Sequence, residues 1–405
     1  MFNINKSFET FSIASNLGGS FSRTKYDVTG FQGGLKAPSN IFTPNSIDYG
    51  TPTNDNRPIY DHNRHYINSL FANVELGWRS MLFLTLTGRN DWDSALDGTS
   101  HESFFYPSVG ASAVISSMAQ LPKFINYLKV RGSWASVGSA IKPNITSKWR
   151  YEYDPRSGTY KTVTYKFPKT FYPERTDSWE AGITARFFKN ALTLDLTLYQ
   201  SNTRKQTFLR SITAAEGYNA EYIQTGNVRN RGIELTIGYN KSWGEFDWSS
   251  SLTYSANRNK IIDLLDDPNE VVKQGGLNGA EVILKKGGTM GDIYTSTDFK
   301  RDAEGNIALD SKGNVIQENL SNPQYRGSVL PKGNIGFSND FSWRGFNLGF
   351  VITARFGGIV LSQTQALLDA YGVSKSSAKA RNAGGVPVNT GRVPAENYYS
   401  VVGGD

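Results

Sequence analysis

Two histidines, His62 and His65, stand three residues apart in "YDHNRHY". On a helix that spacing would hold a metal ion from one face. No helical pattern surrounds them, and the chain has only 3 histidines, so they read as surface-loop residues. "NDWDSALDG" sets out Asp91, Asp93, Asp97 and Gly98 in the way a calcium loop begins. It lacks an oxygen ligand at the fifth position and the closing Glu, and reads as an acid cluster in a loop. Thr289 lies within the glycine string "GGTMG", but a hydroxyl nucleophile needs a base in reach and no histidine is near. Asp266 and Asp267 could be paired as in a glycosidase, yet no pocket is recognisable around them. Walker, dinucleotide and His-Glu-x-x-His patterns are absent. The expectation is a protein that is not an enzyme, with no catalytic residue, no metal and no cofactor. The aromatic string "KWRYEYD" differs in kind. Trp149, Tyr151 and Tyr153 share one strand phase, and flat rings with polar tips suit contact with a ligand or a partner protein.

The elements that carry these residues follow from composition and pattern. Only 38% of the residues are hydrophobic, mean hydropathy is −0.43, and no apolar run approaches the ~20 residues of a membrane helix. A helical membrane protein is excluded. A membrane barrel is not, because its strands alternate and average to mild polarity. Cysteine is absent, so there is no disulfide frame and no thiolate metal site. The net charge is +7, but Lys and Arg are scattered among acids without interleaved aromatics, which argues against a nucleic-acid partner.

"DSWEAGITARFF" puts Trp179, Ala181, Ile183, Ala185 and Phe187 on one phase, with Glu180, Gly182, Thr184 and Arg186 on the other. "KNALTLDLTLYQSN" then alternates Leu192, Leu194, Leu196 and Leu198 with Thr193, Asp195, Thr197 and Tyr199. Successive strand side chains point to opposite faces, so the pair predicts a hairpin with one greasy and one wet face. Four more hairpins follow the same pattern, around Arg79-Ser80, Leu121-Pro122, Trp243-Gly244 and Arg344-Gly345. Long polar connections join them, at roughly Asn90–Glu102, Ser139–Thr176, Thr203–Val228 and Lys260–Leu330. Within the last, "DAEGNIALDSKGNV" repeats an Asp-x-x-Gly-Asn turn and predicts a small hairpin. Short turns alternating with long loops place all the loops at one end, as in an outer-membrane barrel.

The apolar phase from Trp179 to Phe187 covers ~20 Å of membrane normal at ~3.3 Å per residue and ~40° tilt. Aromatics end it on both sides, where interfacial girdles sit. The wet phase, with Glu180, Arg186 and Asp195, would face a watery lumen. Two rivals share parts of this pattern. One is a passive porin-like barrel, the other a secreted soluble β-protein, adhesive or glycan-active. Soluble sandwich strands average ~5–6 residues, against runs of about 10 here.

Several stretches resemble the SusC-like family of TonB-dependent outer-membrane transporters. "LFLTLTGRNDW", "FFYPSVGASAVIS" and "LKVRGSWASVG" are similar to consecutive strands of that barrel. "YPERTDSWEAGITARFFKNALTLDLTLYQSNT", "TGNVRNRGIELTIGYN", "GGTMGDIYTSTDF" and "PKGNIGFSNDFSWRGFNLGF" continue it in family order. The resemblance implies an all-β transmembrane antiparallel barrel, here a partial one of roughly a dozen strands, with long extracellular loops and short periplasmic turns. It implies gated import of oligosaccharides or peptides across the outer membrane of a Gram-negative bacterium. A SusD-like surface lipoprotein would act as the lid, and the TonB complex would pull on an N-terminal plug. Residues 1–405 are expected to be barrel segment alone, with signal peptide, plug, TonB box and final strands outside it.

Overall fold

The structure, a computed structural model, describes residues 1–38, 40–48, 57–143, 145–146, 150–154, 159–163, 165–212, 218, 220–265, 271–277 and 280–402. Its strands begin with β1 (Phe2–Ser7), β2 (Phe11–Gln32), β3 (Arg57–Trp78), β4 (Leu82–Asp93), β5 (Ser103–Val114) and β6 (Ile125–Ser139). Three short ones follow: β7 (Arg150–Asp154), β8 (Thr159–Val163) and β9 (Tyr165–Lys166). Then come β10 (Glu174–Phe187), β11 (Leu192–Ser211), β12 (Ala220–Trp243) and β13 (Phe246–Asp263). After β14 (Val272–Leu277), β15 (Ala280–Leu284), β16 (Asp292–Phe299) and β17 (Gln317–Ser328), the chain returns to β18 (Gly333–Trp343) and β19 (Phe346–Phe356).

The main sheet has 13 strands in the order β1-β2-β3-β4-β5-β6-β10-β11-β12-β13-β18-β19, with β9 added in parallel beside β12. Every pairing along the path with a resolved register is antiparallel and joins neighbours in that order. The fold is the antiparallel barrel sheet expected from the sequence.

Turn chemistry explains why one end of the sheet is tight. Arg79 and Ser80 hold φ of 50° and 55°, and Met81 N–H closes on the Trp78 carbonyl at 2.9 Å. Arg344 and Gly345 hold 47° and 89°. Left-handed backbone at hairpin tips matches the right-handed twist of the strands they join. At the opposite end the long connections pack on one another. Leu96, Ile141, Ile145, Phe171 and Tyr222, from separate connections and strand ends, are buried together in one small cluster with Ala95.

The strands outrun the sequence expectation. The connection expected at Thr203–Val228 is largely strand, because β11 continues to Ser211 and β12 starts at Ala220. β2 and β3 each run 22 residues, longer than the alternation of apolar residues suggests. Ladder pairing needs only backbone groups, so it persists where the side chains have turned polar. The histidines are also corrected. His62 and His65 belong to β3, not to a loop, and their register partners Asp27 and Thr24 lie on opposite faces. An odd spacing on a strand separates them, which rules out a shared metal.

The chain forms two compact units, Met1–Glu270 with Gly333–Arg355, and Val271–Lys332 with Phe356–Asp405. The second unit holds the antiparallel sheet β14-β15-β16-β17, the hairpin β20 (Val386–Val388) with β21 (Gly391–Val393), and three of the chain's helices. The connection expected as a loop at Lys260–Leu330 is therefore mostly folded. Its two Asp-x-x-Gly-Asn turns are near copies. Asp302 Oδ1 accepts from the amides of Glu304 and Asn306, and Asp310 Oδ1 accepts from those of Lys312 and Asn314. Val315, Val388, Val393, Tyr398 and Tyr399 form the core beside them.

Two outcomes follow. Gly232 lies under Tyr199, and a Cβ there would clash with the Ala256 carbonyl and meet the Tyr199 hydroxyl and Cζ at 2.6 and 2.7 Å. Gly110 has nothing nearer than 3.7 Å. Denaturant unfolding is expected to show a loss of about 1–3 kcal/mol for Gly232→Ala and less than about 0.5 for Gly110→Ala. In the second unit, the amide of Asn314 and its side chain hold the Asp310 carboxyl below its usual 3.8. Because the folded value is depressed, that stabilisation is present above pH ~4 and is lost as pH falls through the lower folded value. Amide-exchange protection at Asn314 should drop on acidification in the parent chain and show a flatter profile in Asp310→Asn.

Candidate functional site

Through the middle of the strands the register sorts the residues of the sheet into two faces. One row reads Leu76–Leu84–Ala111–Gly132–Ala181–Leu198–Ile233–Ala256 across eight strands. The next row, one step along each strand, reads Glu75–Thr85–Gly110–Ser133–Glu180–Tyr199–Gly232–Asn257. Along these two rows alternation within each strand and register between strands agree, and the register shifts fall near strand ends, between Arg186 and Phe187 and between Asn227 and Val228.

The apolar face is uncovered. Leu84, Leu86, Trp134, Trp179, Ile183 and Leu198 are all exposed, a contiguous patch far beyond what a soluble monomer shows. Trp179 pairs directly with Trp134, and Phe187 with Leu192 at the turn end. These rings bound the apolar band on both sides. Around the turns, Phe124 packs against Phe187 and Phe188, and Trp248 stacks on Phe341 at 6.0 Å.

The polar face is organised around Arg131. Its guanidinium donates to both carboxylate oxygens of Asp195, at 2.8 and 3.2 Å. It also donates to Thr184 Oγ1 at 2.8 Å and to Thr197 Oγ1 at 2.6 Å, spanning three strands. Forked donation to a carboxylate fixes both partners in angle as well as distance. Glu75, Thr85, Lys129, Arg131, Ser133 and Glu180 line an open depression of about 330 Å³ beside this network. Arg186 lies 5.3 Å from the Tyr127 ring centroid. Nearer the long connections, Arg89 donates to Asp91 and Ser69, and Tyr106 donates to Asp91. The arrangement offers water and hydrogen-bonding solutes a wet surface of both signs, held rigidly by ladders and ion pairs.

Glu180, Arg186 and Asp195 share the polar face, since Glu180 pairs with Tyr199, Thr184 with Asp195 and Arg186 with Thr193. Trp149 lies outside the described residues. Tyr151 and Tyr153 are in β7, which pairs with β8, but their side chains also lie outside the described residues. So do Asp266 and Asp267. Asp91 and Asp93 are strand residues of β4 and not loop acids. Asp93 accepts from the Ala95 amide and from His65 Nε2 at 2.8 and 2.6 Å. Thr289 is engaged by Asp292, which closes the glycine turn as a cap. Arg131 was missed in the sequence because its partner is 64 residues away; its polar-phase position in "LKVRGSW" was the available signal. Among the described residues no three His, Cys, Asp or Glu side chains are grouped to hold a metal ion, and no helix is long and apolar enough to cross a membrane.

A sheet with one uncovered apolar face, one polar face, tight turns at one end and long connections at the other defines the membrane-type β-barrel class. Within it, the chain belongs to the TonB dependent receptor-like β-barrel family, whose model matches residues 2–395. This is a receptor family rather than an enzyme family. TonB-dependent receptor P26 of Formosa agariphila is 25% identical over 344 residues, which is 78% of this chain and 34% of that protein. TonB-dependent receptor P3 of the same organism is 24% identical over 432 residues, 95% of this chain and 41% of that protein. The chain thus spans about a third to two-fifths of these relatives. Among solved structures, the RagAB peptide importer in its open-open state superposes with a TM-score of 0.68 at 18% identity, over 92% of this chain and 41% of that one.

The two faces make opposite demands on one substitution at neighbouring positions. Leu235 lies in mid-band on the apolar face, paired with Leu196, and Thr236 lies beside Asp195 on the polar face. Leu235→Arg should cost ~2–4 kcal/mol in bilayer refolding titrations and Thr236→Arg less than about 1. Equal costs would overturn the assignment of faces.

Proposed function

We propose that the chain is part of the barrel of an energy-coupled importer in the outer membrane of a Gram-negative bacterium. The observation that carries this reading is a polar face that continues across eight strands, backed by an uncovered apolar face. Lipid would cover the leucine rows, and Glu180, Arg186 and Asp195 would keep the lumen wet. Residues 1–405 would form a barrel segment that closes only with strands outside it. β19 favours this, because ten of its eleven residues are exposed and it occupies one end of the strand order.

The protein would be SusC-like, with a SusD-like surface lipoprotein over the long-loop end and the TonB complex as its source of energy. Its cargo would be a peptide or an oligosaccharide. The likeness to the RagAB peptide importer supports the peptide reading. Trp149, Tyr151 and Tyr153 would contact cargo or lid at the outer mouth. Transport would need no covalent chemistry, only binding, gating and a lumen that hydrates the solute.

Uptake of fluorescent peptide and oligosaccharide pools by the source bacterium, with and without the gene, tests this. Loss of uptake of one pool on deletion, and again on collapse of the proton-motive force, is expected. Uptake that persists in de-energised cells would instead make the barrel a passive pore.

A further inference from the structure

The polar face carries an open trough of about 520 Å³ toward the β19 end of the sheet. Its floor follows from register. One row reads Thr197–Glu234–Ser255–Asn334, and the next in phase reads Asp195–Thr236–Thr253–Gly336. Between them runs the apolar phase, which at Leu194–Ile237–Leu252–Phe337 faces the other way. On β19, Phe350 packs against Phe337 and Phe341 of that apolar face. Alternation therefore puts Thr353 and Arg355 on the polar face, and both line the trough. Hydroxyl and amide groups thus fill the space between one acid, Glu234 on β12, and one base, Arg355 on β19.

Glu234 and Arg355 are exposed, and among the described residues neither makes a hydrogen bond or an ion pair. That sets them apart from Arg131 and Asp195 on the same face, which neutralise each other. Three strand steps separate β12 from β19, about 14 Å at ~4.8 Å per step, too far for a direct pair. Through water, charges at that distance attract by less than thermal energy. A solute that carries an ammonium and a carboxylate at the same separation engages both. An extended peptide spans ~3.3–3.6 Å per residue, so about four residues reach from one end to the other. Its N–H and carbonyl groups then meet the hydroxyl and amide floor. A neutral oligosaccharide matches the floor but neither end. Exposed ion pairs are weak, and weakness suits a conduction path, where a solute must leave as readily as it enters.

We infer that the trough is a transit site on the lumen wall for short peptides with free ends, Glu234 taking the α-ammonium and Arg355 the α-carboxylate. This rests on the importer reading proposed above and narrows its cargo to peptides.

Energised uptake of radiolabelled tetra-alanine tests this, with the full-length protein supplied to the deletion strain of the source bacterium and uptake read above that strain. Tetra-alanine is compared with its N-acetyl form, its C-terminal amide and maltotetraose. Blocking either end should slow uptake about fivefold at subsaturating concentration, the worth of one exposed ion pair. Glu234→Gln should lose the discrimination against the N-acetyl form and keep that against the amide. Arg355→Gln should do the reverse. Glu234→Asp and Arg355→Lys should keep the parent pattern. The two arms are independent, so either decides the matter if the other variant does not reach the outer membrane. Parent uptake that ignores both blocks, variants that keep the parent pattern, or variants that each lose both discriminations would overturn the site. Uptake of maltotetraose without tetra-alanine defeats this inference alone. Absence of any energy-dependent uptake, of these probes and of the mixed pools alike, defeats the importer reading itself.

Discussion

Hydrocarbon offers no hydrogen bond to a peptide group. Each unsatisfied N–H or carbonyl there costs several kcal/mol, so a spanning chain must pair all of them internally. That constraint organises the rest of this structure. It demands long strands in continuous register, here thirteen residue pairs between β10 and β11. It also demands tight reversals, which leave few peptide groups unpaired, and so left-handed residues appear at Arg79, Ser80 and Arg344 despite their side chains. Once the ladder is in place, the strand period alone separates Leu198 from Tyr199 and Ala181 from Glu180. The two faces need no further device to keep them apart.

Much of this was legible because the signal is local. The five hairpins read from the sequence all exist, since alternation and turn residues lie within one short window. Glu180, Arg186 and Asp195 could be put on one face for the same reason. The limits were physical too. Where β11 passes Thr203 its side chains become polar on both faces, so the alternation ends while the backbone pairing does not. The opening strands β1 and β2 carry Asn, Ser and Gly on the polar phase and were read less fully than they fold. Arg131 needed the strand order, because its partners lie on β10 and β11 and no spacing rule links them. The aromatic string at Trp149 to Tyr153 gives a phase but no neighbours, because phase is local and neighbours are set by the rest of the fold.

The second unit shows a different logic. Its sheet is short and irregular, with register shifts between β14 and β15 and between β16 and β17. Its order comes from side chains that bind the backbone, as Asp302 and Asp310 do in their turns, and from the cluster around Val393 and Tyr398. Those interactions depend on water and charge, as the depressed Asp310 shows. The barrel sheet relies on ladder pairing and apolar surface. One chain thus carries two kinds of stability, with different responses to acid and to detergent.

The strand order also has a kinetic meaning. Five of the eleven pairings along the sheet close turns of two to four residues, so those contacts have low sequence separation and should form early. The pairing of β13 with β18 is different, because the chain leaves the sheet at Asp263 and returns at Gly333. Closing a flexible loop of that length costs only about 0.6 kcal/mol more per doubling, but the ends must first find each other. Residues 271–332 lie wholly within the second compact unit, so order there shortens that search. Because that unit also takes in residues 356–405, from beyond β19, the last two strands of the sheet are framed in sequence by two stretches that share one core.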